Sequence, residues 1–171
     1  MKRWSHLDEN LDRLAVGHGA VATGDLLEAN GVGEDLAWLD LALKDIRGHG
    51  PMEDLASDDD SGRLLVEALG SGKPLAVVCH ATAALLAAKQ DDGSSPFAGY
   101  RVTGFTNEEE EAVDLASKAP WLVETEVVKL GLKFDKGQPF QPHTVTDRNL
   151  YSGQNPASAG PLAAEILKVI K

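Results

Sequence analysis

The sequence predicts an α/β fold built on a largely parallel sheet, and three observations carry that prediction. Short apolar runs of strand type, at 75–78, 100–104 and 132–134, alternate with segments of helical spacing. Clusters of Gly, Pro, Asp and Asn stand between them, where caps and turns belong. The run at 75–78 leads without a spacer into an Ala/Leu segment, so a buried strand feeds a helix directly at Cys79.

The first part of the chain, residues 1–45, differs in character. Leu7, Leu11, Leu14 and Ala15 have helical spacing, as do Leu36, Leu39, Ala42, Leu43 and Ile46. Gly17-His18-Gly19, Gly24 and Asn30-Gly31-Val32-Gly33 break or cap those segments, and no β-branched run marks a strand. Two or three short helices are expected. Next, Gly48-His49-Gly50-Pro51 reads as a loop, and Asp58-Asp59-Asp60-Ser61 offers N-caps for a helix over 63–69 that ends at 70–72. Pro74 starts a strand but cannot interrupt one, which confines the strand to 75–78.

The helix after Cys79 is expected to run to about Gln90 and stop at Asp91-Asp92-Gly93. A short strand follows at 100–104. Thr106 or Asn107 then caps a helix whose first turn, Glu108 to Glu111, is acidic at the favourable end of the dipole. Pro120 opens a helix through Leu130 to Gly131. Strands are expected at 132–134, 143–146 and 150–152, with Asp147-Arg148-Asn149 turning between the last two. Residues 156–170 form a closing helix with Leu162, Ile166, Val169 and Ile170 on one side.

Composition narrows the function. A chain of 171 residues fits one domain, which at this size buries roughly 70% of its unfolded surface. Its 43% hydrophobic and 25% charged content is that of an ordinary globular protein. The net charge of −11 argues against nucleic acid or an anionic membrane as partner and favours a small neutral or cationic substrate. A single cysteine excludes an internal disulfide and suits a reducing compartment. No apolar run approaches the ~18 residues of a membrane span, and Asp8, Glu9 and Asp12 interrupt any signal peptide. A cytoplasmic location is expected.

The chemistry centres on Cys79-His80. A thiol at a strand-to-helix turn meets the helix dipole, and nearby imidazoles add to it. Both lower a cysteine pKa from ~8.5 towards ~3.5–7.5. The helix's first N–H groups are also oriented to stabilise an oxyanion. The competing reading is an inert, small, buried hydrophobe at the end of a strand. His49 fits either a substrate contact or a loop hydrogen bond, and His143 a structural contact ahead of a catalytic group. His6 and His18 read as surface residues, and most of Glu108 to Glu111 as solvated caps. No His/Cys spacing suggests zinc, and no metal or cofactor is expected.

Four ordered segments carry a resemblance. They are Gly48-His49-Gly50-Pro51-Met52-Glu53-Asp54-Leu55, Ala76-Val77-Val78-Cys79-His80, Val102-Thr103-Gly104-Phe105-Thr106-Asn107-Glu108-Glu109 and Gly153-Gln154-Asn155-Pro156-Ala157-Ser158. Together they resemble the PfpI family of class I glutamine amidotransferase-like proteins, the superfamily of the parkinsonism-associated deglycase. The similarity is greatest to its chaperone and glutathione-independent glyoxalase branch, and it covers residues 47–171.

The resemblance implies a flavodoxin-like three-layer α/β/α sandwich with a mostly parallel sheet and the cysteine on a strained elbow. It implies a triad of Cys79 as nucleophile, His80 as proton shuttle and Glu110 as the acid that orients the imidazole. Backbone N–H groups near Gly48 and from His80 would form the oxyanion site, with His49 close by. The implied substrate is a small aldehyde or dicarbonyl such as methylglyoxal, converted to lactate without metal or glutathione. The alternative within the family is a catalytically impaired stress holdase or thiol sensor.

Three departures from the family pattern bear on these expectations. Arg47 replaces a glycine whose N–H approaches the substrate, and Ala81-Thr82 replace Gly-Pro after Cys-His. The larger one is that residues 1–45 show neither the family's first strand–helix units nor their glutamate. The expected organisation is therefore an atypical helical leader, 1–45, joined to the C-terminal two-thirds of a PfpI-type domain, 46–171. A sheet without its first strands exposes an edge, which favours a homodimer.

Overall fold

The computed structural model describes residues 49–170. The expected leader, 1–45, and Gly48 lie outside the described residues. Two helices, one of a single turn and one of 13 residues, open the described chain. Helix α1, Gly50–Glu53, carries Pro51 in its first turn and buries Pro51 and Met52. Helix α2, Asp59–Ser71, starts on Asp58, whose side chain accepts from the Ser61 N–H, and stops at Gly72 with φ of 71°.

Strand β1, Leu75–Val78, is buried along its whole length, as its uninterrupted apolar sequence requires. The chain passes from it straight into a 3-10 helix, Cys79–Leu86. Seven of the eight residues of that helix are buried. It is also shorter than expected, ending at Leu86 rather than near Gln90. Helix α2 crosses there so closely that a Cβ on Gly62 would lie 2.3 Å from the Ala87 carbonyl oxygen.

Strand β2, Arg101–Val102, pairs in parallel with β3, Lys133–Phe134. It is shorter than the predicted strand because the next amides leave the ladder. Thr103 N–H donates to Ser152 Oγ, and Phe105 N–H donates to the Cys79 carbonyl. Between β2 and β3 lie α3, Asn107–Ala112, and α4, Val123–Lys129. Strands β4, Thr144–Asp147, and β5, Leu150–Gly153, form an antiparallel hairpin whose turn places Arg148 at φ of 56°. A 3-10 turn, Pro156–Ser158, leads into α5, Ala159–Ile166, so the predicted closing helix is divided in two.

The sheet order β1-β5-β4 sets β1 parallel to β5, with Val78 opposite Gly153. Alternation along β1 sends its side chains to two cores. Leu75 and Val77 join Leu85, Phe97, Val102, Val127 and Leu150 on one side, while Ala76 and Val78 join Phe105, Leu162 and Ile166 under α5 on the other. Helices on both faces of a mixed sheet make the α/β sandwich that the sequence predicts. No helix among the described residues is long and apolar enough to cross a membrane.

Candidate active site

The site lies where β1 ends. Cys79 adopts φ of 59°, a left-handed conformation that costs a β-carbon residue free energy and is held here by packing on every side. The bend exists because β1 and the 3-10 helix meet with no intervening loop residue. Its consequence is local: the Cys79 sulfur lies 3.3 Å from His80 Nδ1.

The opposite nitrogen of the same ring, His80 Nε2, donates to Glu110 Oε1 at 2.7 Å. Glu110 comes from the first turn of α3 and is 1% exposed. His49 Nε2 donates to the same carboxylate, at 2.9 Å to Oε1 and 3.1 Å to Oε2. A carboxylate only accepts, so both Nε2 atoms carry protons and His80 Nδ1 is left as the acceptor facing the thiol. Phe105 packs against the His80 ring at 4.5 Å and His49 at 4.4 Å, centroid to centroid.

Burial governs the protonation states. It pushes the Cys79 thiol up to about 12, with the Glu109 and Glu110 charges adding to the rise and a hydrogen bond from the His80 backbone opposing it. From sequence alone, the helix dipole is expected to lower the thiol. The structure reverses that direction, because a buried thiolate beside two carboxylates loses more from desolvation than a short 3-10 helix returns. Burial also lowers His80, although Glu110 pulls the other way, so the imidazole is neutral at neutral pH. The resting pair is thus a neutral thiol facing a neutral base.

Glu110 is held in place by its neighbour. Glu109 is completely buried, and its Oε1 accepts from Phe140 N–H, Gln154 Nε2 and Asn155 Nδ2. Its Oε2 accepts from the N–H and hydroxyl of Thr106. Burial raises this carboxyl, but those donors together outweigh it and hold the group below the ordinary range. Thr106 and Glu109 form a reciprocal capping box that fixes the start of α3 and, with it, the aim of Glu110. The expectation of solvated caps therefore holds for Glu108 and Glu111 and is corrected for Glu109. Sequence reasoning missed Glu109, Gln154 and Asn155 as site supports, although the spacing Thr106-x-x-Glu109 is a capping-box signal.

Of the residues singled out from sequence, Cys79, His80, Glu110 and His49 come together, and Gly48 lies outside the described residues. His143 stands apart, its ring on Asp135 at 3.2 Å and its N–H on Ser158 Oγ. Ala81 is absent from the positive-φ positions, so replacing the family's glycine there adds no backbone strain.

No protein-family model matches the chain. Individual proteins do. The chain is 36% identical over 118 residues to the glutamine amidotransferase-like class 1 domain-containing protein 1 of Bos taurus, covering 69% of this chain and 54% of that protein. It is 28% identical over 138 residues to the protein/nucleic acid deglycase HchA of Staphylococcus aureus, covering 78% and 46%. The crystal structure of glyoxalase III from Candida albicans superposes with a TM-score of 0.65 at 25% identity, covering 73% of this chain and 55% of that one. The chain spans about half the length of the curated relatives it matches. By sequence and fold together, the chain belongs to the PfpI and class I glutamine amidotransferase-like superfamily.

Proposed function

We propose that the chain carries a cysteine-dependent glyoxalase or deglycase site that acts on reactive dicarbonyls, with methylglyoxal converted to lactate. The observation that supports this best is the unbroken line from the Cys79 sulfur through both His80 nitrogens to Glu110, at 3.3 and 2.7 Å. A Candida albicans relative named glyoxalase III and a Staphylococcus aureus relative named a deglycase support the same chemistry.

In this reading His80 Nδ1 takes the thiol proton as sulfur adds to the aldehyde carbon, and the new alkoxide takes that proton to give a hemithioacetal. The proton on that carbon then moves to the neighbouring carbonyl carbon through an enediol, leaving a lactoyl thioester on Cys79. Water cleaves the thioester, which releases lactate and restores the thiol. Glu110 keeps the imidazole in the tautomer that accepts from sulfur. The backbone N–H groups of His80 and Gly48 are the oxyanion donors in this proposal, and His49 is a further substrate contact.

The thiol-sensor alternative loses support from the site. Sensor cysteines are accessible and have low pKa values, whereas Cys79 is buried and raised to about 12. The acidic balance does not exclude nucleic-acid-borne substrates, since a deglycase relative is named for both protein and nucleic acid. A homodimer in the cytoplasm completes the proposal. Among the described residues β1 pairs with β5 alone. The test is lactate formation from methylglyoxal by the full chain and by Cys79→Ala. Loss of activity in the variant is expected, and equal rates would eliminate Cys79 as the nucleophile.

A further inference from the structure

His49, His80 and Glu110 are brought together from three separate parts of the chain, and their proximity has a second chemical meaning. One ligating atom from each of the three residues lies within 4.8 Å of the other two. Both nitrogens converge on a single oxygen, at 2.9 and 2.7 Å. Zinc bound by two imidazoles and one carboxylate at ~2.0–2.2 Å, in tetrahedral geometry, needs donors about 3.3 Å apart. The Glu110 oxygen reaches that spacing by moving back by roughly half an ångström.

Charge and access agree with the spacing. The charges acting on Cys79 are those of Glu109 and Glu110, so the pocket is anionic. His49 is 29% exposed while His80 and Glu110 are buried, which gives an ion one open side and leaves a coordination position for water. Two nitrogens with one oxygen select late first-row divalent ions over magnesium or calcium. No local motif announced this set, because His80 and Glu110 are 30 residues apart and His49 and Glu110 are 61 apart.

We infer that His49, His80 and Glu110 form an inhibitory site for a late first-row divalent metal ion, represented by zinc, at the side of His80 away from the sulfur. Bound there, the ion replaces both Nε2 protons, and each imidazole carries its proton on Nδ1 instead. No proton is gained or lost. His80 Nδ1 changes from the acceptor facing Cys79 into a donor, so the base that the proposed function requires is removed. The inhibition rests on that functional reading, while the metal binding does not.

The test uses the full chain, freed of metal by chelation and titrated with cobalt(II) as a spectroscopic stand-in for zinc. Wild type and Cys79→Ala are expected to develop the same visible cobalt absorption at one ion per chain, without a near-ultraviolet sulfur-to-cobalt band, and zinc is expected to displace it. His49→Ala and Glu110→Gln are expected to bind at least ~10–100-fold more weakly, with thermal melts recorded to establish that both fold. Should one variant fail to fold, the other decides. No saturable absorption, absorption indifferent to the folded variants, or a sulfur band lost in Cys79→Ala would each overturn the site. Zinc is further expected to suppress lactate formation reversibly. Binding without any turnover in metal-free protein would defeat the proposed function and leave the metal site standing. Turnover unaffected by bound zinc would overturn the inhibitory role.

Discussion

Cys79 and His80 are adjacent in sequence but have opposite relations to water. The thiol is uncharged because burial removes the solvent that would stabilise its anion, and the imidazole stays neutral for the same reason. Alkylation of Cys79 by iodoacetamide should therefore follow a titration near 12 instead of the ordinary ~8.5. A rate profile with its midpoint below 9 would contradict the buried neutral thiol. Glu110→Gln separates charge from shape. The amide keeps the size of the carboxyl but can present N–H to His80, which favours the tautomer with its proton on the sulfur side. Lactate formation should fall by roughly 10²–10⁴-fold, and an unchanged kcat would remove Glu110 from the mechanism. The thiol and its neighbouring histidine were legible in the sequence as Cys79-His80, since one strand and one turn place them. Glu110 was legible only through family spacing, because nothing in a run of four glutamates says which side chains turn inward. The direction of the thiol shift was not legible at all, because it depends on what closes over the sulfur.

At the scale of elements, the site is held by the start of α3. The helix is only six residues long and cannot hold itself. Its capping box and the five donors on Glu109 tie it to the segment at Phe140 and to Gln154-Asn155 after β5. Glu109→Gln keeps the volume but turns one acceptor into a donor among donors. A buried mismatch of this kind costs about 1–3 kcal/mol, to be read as a lower denaturant midpoint with an unchanged m-value. Turnover should fall along with stability, because α3 no longer aims Glu110. A Glu109→Gln protein of wild-type stability would show that the network does not hold α3. Strands and caps were the readable part of this layer. The run at 75–78 is buried on both faces and so is apolar without interruption, and Asp58 and Thr106 cap helices where their sequence context places them. What the sequence could not specify was the path of the chain after Cys79. A segment that is nearly all Ala and Leu has no polar face to orient it, and it ends where α2 packs on it, with Gly62 against the Ala87 carbonyl.

For the molecule as a whole, the two buried groups set opposite limits on stability. His80 has its pKa lowered by folding. As pH falls below its ordinary value of ~6.5, the unfolded chain takes up a proton that the folded chain resists, so stability declines on the acid side. Cys79 has its pKa raised from the ordinary ~8.5 to about 12. Above 9 the unfolded chain releases a proton that the folded chain keeps, so stability declines on the alkaline side as well. The slope there is about 1.4 kcal/mol per pH unit for one group. Between these limits neither group disfavours the fold, and that window contains the neutral pH at which the proposed chemistry needs a neutral base. Cys79→Ala isolates the alkaline limb, because alanine at φ of 59° bears the same backbone strain and has nothing to titrate. Denaturant unfolding of both proteins between pH 7 and pH 11 should give parallel curves up to about 9. Beyond that, wild type should lose stability relative to the variant at about 1.4 kcal/mol per unit. Lysine and tyrosine ionisation is common to both proteins and cancels in the difference. Curves that stay parallel to pH 11 would mean that the thiol ionises as readily in the folded chain as in the unfolded one, and His80 would then face a thiolate at alkaline pH without needing to generate it.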